Sequence, residues 1–424
     1  MRALRQAYGP ATARLARALR RAGTAGPAAL PFRTVARTAI VALVLVALNS
    51  TVPAGVLPED RADILYHRYQ GGGITIDGPS VLIRKKIGES FSVSANYYVD
   101  MVSSASIDVK LSASKYKEER KQKSVSVDYL HNKSTYSVAV IDSKESDYVA
   151  DTAVFSLSQD MFGDLTTVSL SYKRGWNDVF RNVKLADGSK VRDPTFADNA
   201  DSRGYSVGLS QILTRNLILG LNYEVITDEG FLNSPYRSVR YVDPGSPKGF
   251  SLEKEIYPRT HTSNAASVRL KYYLPYRAAL DGQGRIYTDT WGVDAWNVDF
   301  TYTQPVWKRW ILDGHLRYYK QTAADFYSDL FPRAQSQNFL ARDKELATYD
   351  AITFGAQATY DFQIPRVRWI QKSSVSARLE HMIIRYDDFR DATVTDPANG
   401  ILAGAEPLYK LNANIFQLFL SIYF

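Results

Sequence analysis

Charged side chains recur at every second position in the second half of the chain. In "VRLKY", Arg269 and Lys271 alternate with apolar residues, and in "LDGQGRIY" Asp281 and Arg285 lie in phase. We predict that the following residues share one polar face: Glu224, Arg269, Lys271, Asp281, Arg285, Asp299, Asp313, Arg317, Asp361, Arg378 and Glu380. Rings of such groups along a pore set ion selectivity, with Arg269, Lys271, Arg285 and Arg317 as a basic cluster. The alternative is a salt-bridged network that braces a wall.

Other residue types offer little chemistry. Five histidines occur, and His261 near Ser263 is the one pairing that could suit acyl transfer, but nothing supplies a third member or an oxyanion hole. We expect no enzyme, with an outer-membrane hydrolase as the remote alternative. The absence of cysteine excludes disulfides and thiolate metal sites. The carboxylates of 193–204 lack the order of a calcium loop, so no metal and no cofactor are expected.

These charged residues lie in segments with a period of two. "SFSVSANYYVDM" (90–101) alternates serine with apolar residues, and "LILGLNYEV" (217–225) and "WNVDFTYT" (296–303) alternate in the same way. Period-two alternation over about ten residues is typical of membrane-spanning β-strands, apolar toward lipid and polar toward the lumen. A soluble sandwich would give the same alternation, with its apolar face in the core.

Junction lengths favour the membrane barrel. Tight turns such as 131–134 and 214–216 alternate with long polar junctions at about 104–120, 143–149, 176–203, 227–263, 321–347 and 388–411. This is the layout of short periplasmic turns and long extracellular loops. We predict a single all-β, antiparallel up-and-down barrel of about 16 strands, with 14 to 18 compatible. An even count places both ends of the mature chain on the periplasmic side.

The chain ends in "NIFQLFLSIYF", a strand with one apolar face made of Phe416, Leu418, Leu420, Ile422 and Phe424. Hydrocarbon offers no partner to an unpaired strand edge, so the last strand must pair with the first. We expect these five residues to face lipid and to form the signal read by the barrel-assembly machinery. Gln417 and Ser421 should face the lumen.

The N-terminal 54 residues differ from the rest. They hold eight arginines and no lysine, Asp or Glu, and the other 44 of the 52 basic residues are balanced by 44 acidic ones. The net charge of +8 therefore belongs to the leader and does not indicate nucleic acid. A basic region, the apolar run 39–48 and the small residues Val52 and Ala54 predict a cleaved signal peptide over 1–54. Residues 55–424 would form the barrel domain.

Two long junctions allow alternatives. Residues 321–347 could fold inward as a constriction or cover the outer rim, and the segment from Gln335 to Leu346 could form a short helix. The 227–263 junction holds four prolines, which suggests an ordered, turn-rich cap.

Four segments carry a family resemblance: "DGPSVLIRKKIGESFSVSANYYVDMVSSASIDV" (77–109), "LNYEVITDEGFLNSPYRSVRY" (221–241), "YYLPYRAALDG" (272–282) and "ADFYSDLFPRAQSQNFLARDKEL" (324–346). Over about 60–424 the chain resembles an uncharacterised proteobacterial family, domain of unknown function 3570. The resemblance implies a Gram-negative surface protein in the outer membrane. It supplies no catalytic or ligand-binding residues.

We therefore expect an outer-membrane protein in contact with lipid and lipopolysaccharide. The expected function is a porin-like channel or small-solute transporter with a mixed-charge lumen. The alternative is a structural or surface-binding barrel without transport.

Overall fold

The computed structural model describes residues 56–104, 116–187, 189–364, 367 and 369–424. The expected signal peptide lies outside these residues. The strands are β1 (Arg61–Gly71), β2 (Ile74–Ile87), β3 (Phe91–Ser104), β4 (Tyr116–His131), β5 (Ser134–Lys144), β6 (Tyr148–Met161), β7 (Thr166–Lys184), β8 (Lys190–Thr214), β9 (Leu217–Gly230), β10 (Ser238–Val242), β11 (Phe250–Lys254), β12 (Thr260–Tyr273), β13 (Ala279–Asp289), β14 (Asp294–Val306), β15 (Trp310–Gln321), β16 (Tyr349–Phe362), β17 (Lys372–Arg390) and β18 (Leu408–Tyr423).

Sixteen of these strands form one closed antiparallel barrel, and β10 and β11 form a separate hairpin. Closure is made by β1 and β18, which pair along the whole of β1, from Arg61 opposite Tyr423 to Gly71 opposite Ala413. No edge of the barrel sheet is left open, which is the requirement for a sheet surrounded by hydrocarbon. The predicted all-β, 16-stranded barrel is confirmed.

The period-two pattern decides which side chains point inward. On β12, Val268 and Leu270 are exposed on the outer face. Arg269 and Lys271, which alternate with them, point into the barrel. On β3, the alternate residues Ser92 and Ser94 point inward and are buried. An apolar outside and a polar inside are the pattern of a membrane barrel.

The two ends of the barrel differ. One end, here called the turn end, carries the short connections 88–90, 132–133, 162–165, 215–216, 274–278 and 307–309, the connection 363–371, and the chain end, where the N–H of Phe424 donates to the carbonyl of Asp60 at 3.2 Å. The other, the loop end, carries the long connections 231–259, 322–348 and 391–407. The alternation of short and long connections is present, although four connections at the loop end are also short.

The predicted long junction at 176–203 is wrong. Strands β7 and β8 run through it to Lys184 and Lys190 and are joined at 185–189. Polar, aspartate-rich residues on both strands suggested a loop, but most of them find backbone partners on the other strand, with one irregularity between Phe180 and Asn182. The first connection at the loop end is also tight, because Gly72 and Gly73 have φ of 58° and 77°, which glycine adopts without strain.

The three long connections pack together over the loop end, and we call them the cap. Phe331 and Leu340 of 322–348 pack on Val239 of the β10–β11 hairpin. Another apolar cluster joins Trp291, Phe326 and Leu346. The helix predicted from Gln335 to Leu346 is mostly wrong, since only the single 3-10 turn Lys344–Leu346 forms. Throughout the described part of the chain, no helix is long and apolar enough to cross a membrane.

The cap also reaches into the barrel. Ala347 and Tyr327 of 322–348 pack on inward-facing residues of six strands, β1 to β3 and β16 to β18: Tyr69, Ile76, Val102, Tyr349, Ala351, Ile384, Tyr386, Leu411, Ala413 and Ile415. This part of the inner wall is therefore apolar and covered. Of the two alternatives for 321–347, the inward fold matches this packing.

Candidate functional site

All eleven predicted luminal residues lie on the inner face of the barrel wall. The register fixes this, because a residue shares its face with the residue directly opposite on the next strand. Arg285 opposes Ser267, Gln283 opposes Arg269, and Asp281 opposes Lys271. Further pairings place Glu224 opposite Ala265, Asp299 opposite Gln283 and Arg317, and Asp313 opposite Thr303. Together the inner faces of β9 and β12 to β17 form a charged wall.

The most open part of the charged wall is the group around Asp281. Arg269 donates to this carboxylate from Nε at 2.7 Å and from Nη2 at 2.6 Å, and the Nζ of Lys271 lies 4.0 Å from Oδ2. Although they point inward, the side chains of Arg269 and Lys271 remain 58% and 57% exposed. Both side chains lie near the turn end, so solvent reaches the inner face of the barrel there.

A second shared carboxylate is Glu224. Its Oε1 lies 3.4 Å from Nζ of Lys173, and its Oε2 lies 3.8 Å from Nη2 of Arg285. In both groups one carboxylate serves two cations. The predicted basic cluster is therefore interleaved with carboxylates, and each group retains one positive charge.

The centre of the charged wall contains a residue that the sequence analysis left out of the luminal set, His315. Its Nδ1 lies 2.8 Å from Oε1 of Glu380, and its Nε2 lies 3.1 Å from Oδ1 of Asp299. Arg378 binds the same Glu380 carboxylate, with Nε at 3.0 Å. The signal was present, since His315 lies in phase with Asp313 and Arg317 on β15.

Glycine makes this contact possible. His315 and Glu380 lie on β15 and β17, and both stand directly opposite Gly355 on β16 between them. A Cβ at Gly355 would come within 2.6 Å of Cγ of Glu380. The missing side chain lets two residues two strands apart meet across the wall.

The other predicted luminal residues have fewer charged partners. Asp313 accepts hydrogen bonds from Thr303 at 2.5 Å and from Gln357 at 3.4 Å. Arg317 has no carboxylate within 4.0 Å among the described residues, and its Nε is buried without a hydrogen-bond partner there. Its guanidinium packs near the ring of Tyr319 on the same face.

The inner face from β4 to β8 carries many small residues, together with larger ones such as Lys173. The small residues include Ser124, Ser126, Ser137, Ser156, Ser158, Ser169, Ser171, Ser202, Gly204, Ser206, Gly208 and Ser210. Small side chains leave space in the lumen opposite the long charged ones.

The cap is held by a buried charge cluster. Arg240 of the hairpin donates to Glu406 of 391–407 at 2.5 Å and 3.0 Å, and it also binds the Asp329 carboxylate of 322–348. Arg342 binds Asp329 as well, at 2.8 Å. Arg240 and Glu406 are both fully buried. Burial alone would raise the pKa of Glu406, but hydrogen bonds from Arg240 and Thr395 lower it to about 2. One cluster therefore joins all three loops.

The proposed acyl-transfer pair does not form. Both ring nitrogens of His261 face carboxylates, Nδ1 toward Asp228 at 3.4 Å and Nε2 toward Asp289 at 2.8 Å. Neither nitrogen is left to take a proton from Ser263. Nor do the described residues contain a group of His, Asp or Glu side chains arranged to hold a metal ion.

The C-terminal strand has the two faces expected of it. Phe416, Leu418, Leu420 and Ile422 alternate with Gln417 and Ser421, which oppose His67 and Asp63 of β1. The ring of Phe424 lies 5.9 Å from that of Trp369, and Nζ of Lys85 lies 5.0 Å from its centre. The inner face is less polar toward the loop end, where Leu411, Ala413 and Ile415 are covered by the cap.

Comparison with known families decides the relationship. The family model described as "Protein of unknown function (DUF3570)" matches residues 110–418. The chain belongs to this family. The resemblance drawn from the sequence segments is thereby confirmed, and the DUF3570 match covers β4 to β17 completely. Among curated proteins, no sequence matches this DUF3570 member.

Solved structures resemble this DUF3570 barrel in fold alone. A "Bacterial polysaccharide outer membrane secretin" is 7% identical with a TM-score of 0.45, covering 87% of this chain and 100% of its own. A Pseudomonas aeruginosa FadL homologue is 11% identical with a TM-score of 0.40, and the match covers 87% of this chain and 91% of the homologue. The outer-membrane protein opdK of Pseudomonas aeruginosa is 9% identical with a TM-score of 0.40, and the match covers 86% of this chain and 99% of opdK.

Proposed function

We propose that the protein is an outer-membrane channel that passes small hydrophilic solutes through its mixed-charge lumen. The turn end would face the periplasm and the loop end the outside. The outer face would contact lipid and lipopolysaccharide, and the C-terminal strand would be read by the barrel-assembly machinery during insertion.

The observation that carries the proposal is the exposure of Arg269 and Lys271 inside the barrel. A closed wall filled by salt bridges would bury both side chains, since each has a carboxylate partner. More than half of each side chain instead meets solvent. Sixteen-stranded barrels are wide enough for an aqueous channel.

The cap favours a second candidate, a barrel that binds at the cell surface without transport. Its three loops are joined by buried ion pairs and apolar packing, which is more order than an open rim requires. Under the channel proposal the same cap narrows the outer mouth and restricts the size of the solute. Catalysis is not part of either proposal.

Single-channel recording in planar bilayers tests the channel. Folded protein, identified by its heat-dependent gel mobility, should give stepwise conductance. An absence of steps from folded protein would exclude the channel and favour the binding role.

Charge reversal then tests the wall. Arg269→Glu with Arg285→Glu should shift the reversal potential in a salt gradient toward cation permeability, because the net charge of each group, around Asp281 and around Glu224, changes from +1 to −1. Lys410→Glu on the outer face is the matched control and should leave the potential unchanged. An unchanged potential in the double variant would exclude a selectivity role for these arginines.

A further inference from the structure

We propose that the inner wall of β13 to β15 holds a binding site for small organic oxyanions, with Arg317 as its main ligand and Arg285 and Asn297 beside it. The site names a solute class for the proposed channel and rests on that function for its place in transport. Its ligands are carboxylates or phosphates, which present the same oxygen geometry to a guanidinium.

The first step is the unusual state of Arg317. In the register it stands directly opposite Asp299, the residue that would normally pair with it. That carboxylate is instead bound by Nε2 of His315 at 3.1 Å. No other carboxylate lies within 4.0 Å of Arg317 among the described residues. His315 thus leaves an inward-facing guanidinium without its counter-charge.

The second step is the neighbourhood of Arg317. Its own row across the wall contains Asp299 and Gln283, and Thr353 opposes it on β16. The adjacent row contains Arg285, Asn297 and Tyr319. Neighbouring strands lie about 4.8 Å apart, and Arg317 is two residues further along its strand than the row of Arg285, so the two arginines are roughly 12 Å apart at the backbone. An oxyanion between them can reach both guanidinium groups, and Asn297 lies on β14, the strand between the two arginines.

The third step is the charge around the site. Arg285 shares Glu224 with Lys173 at 3.8 Å, so it is only weakly neutralised. Arg269 and Lys271 share Asp281 toward the turn end. The acidic groups Asp299, Asp281 and Glu224 are all engaged by His, Arg or Lys. The balance along this path therefore favours an anion, and the exposed Arg269 and Lys271 offer a second contact nearer the turn end.

The fourth step is space. Opposite β13 to β15 in the closed barrel lie β3 to β5, whose inner faces carry the small residues Ser94, Ser124 and Ser137. A solute held by Arg317 and Arg285 would meet small hydroxyl-bearing side chains on its other side. This fits a compact, hydrophilic anion and disfavours an aromatic or aliphatic one.

Calorimetric titration of the folded protein in detergent tests the site independently of conductance. The probes are succinate for the carboxylate class and inorganic phosphate for the phosphate class, with glycerol as the uncharged control. We expect at least one anion to bind and glycerol not to bind. Arg317→Gln should weaken that affinity about tenfold, as expected for a charge-assisted bidentate contact.

The controls separate charge from geometry. Arg317→Lys keeps the charge without the planar fork and should weaken binding less than Arg317→Gln. Lys410→Gln removes one charge from the outer face and should change nothing. Failure of both anions to bind folded protein, or equal affinity in Arg317→Gln and wild type, would overturn the site. Anion binding by a protein that conducts no current would support the binding site and exclude the channel function.

Discussion

At the residue scale, the contact between His315 and Glu380 requires a glycine at position 355. This is the one position between His315 and Glu380 where a side chain would collide, with a Cβ 2.6 Å from Cγ of Glu380. The charged wall therefore depends on an uncharged residue.

Gly355→Ala should lower the unfolding free energy by roughly 1–3 kcal/mol, as for other overpacked sites, because Glu380 must move away from His315. Thermal unfolding followed by gel mobility measures the loss. Gly314→Ala is the control, since a Cβ there meets nothing within 4 Å on the outer face. Equal stability of the two variants would contradict the close approach.

The two faces of β18 give a second prediction at this scale. Leu420→Arg places a charge on the outer face and should reduce insertion into vesicles, at a cost of up to about 2–4 kcal/mol at the bilayer centre and less toward its edges. Ser421→Arg points inward, opposite Asp63, and should insert normally. Equal insertion of both variants would undo the assignment of faces.

At the scale of elements, the strands could be predicted because alternation is a local property. The sequence of β12 alone places Arg269 and Lys271 on one face. The upper parts of β7 and β8 could not be predicted, since their polar residues become strand only by pairing with each other. The Arg240–Glu406 contact was also out of reach, as it joins residues 166 positions apart.

The buried cluster of the cap makes the next prediction. Arg240→Ala leaves Glu406 and Asp329 buried with less counter-charge and should weaken the cap by about 3–5 kcal/mol. Trypsin should then cleave the loops in an otherwise folded barrel. Arg333→Ala on the cap loop 322–348 is the control, because among the described residues this exposed arginine contacts only the carbonyl of Gln335. Identical digestion of both variants would contradict the pinning of the loops.

Glu255 should make the cap sensitive to pH. Burial raises the pKa of Glu255 to about 7, above its ordinary value of 4.5, although the charge of Arg237 opposes the shift. The folded cap therefore binds a proton that the unfolded chain releases, and stability falls as pH rises from about 4.5 to 7. The protection factors of the loop amides, which correct the exchange rate for its intrinsic pH dependence, should be lower at pH 8 than at pH 5. Glu255→Gln should remove the difference, and an unchanged pH dependence would contradict this role.

At the scale of the whole molecule, the barrel combines an apolar outer face, a charged inner wall, a small-residue wall and an ordered cap. The barrel could be predicted from the sequence, and so could the face on which each charge lies. The pairing of those charges could not, because it depends on register and on gaps such as Gly355. Because of that pairing, Arg269, Lys271 and Arg285 of the predicted basic cluster bind shared carboxylates. Arg317 has no carboxylate partner within 4.0 Å among the described residues.

The central claim is that the inner wall meets water while the outer wall meets lipid. Because the chain has no cysteine, single substitutions report their own surroundings. In protein reconstituted into bilayers, a charged, water-soluble thiol reagent should label Asn222→Cys, which points inward, and should not label Leu221→Cys, which points outward. Labelling of Leu221→Cys with Asn222→Cys unlabelled, or equal labelling of both, would contradict a water-filled barrel in a membrane.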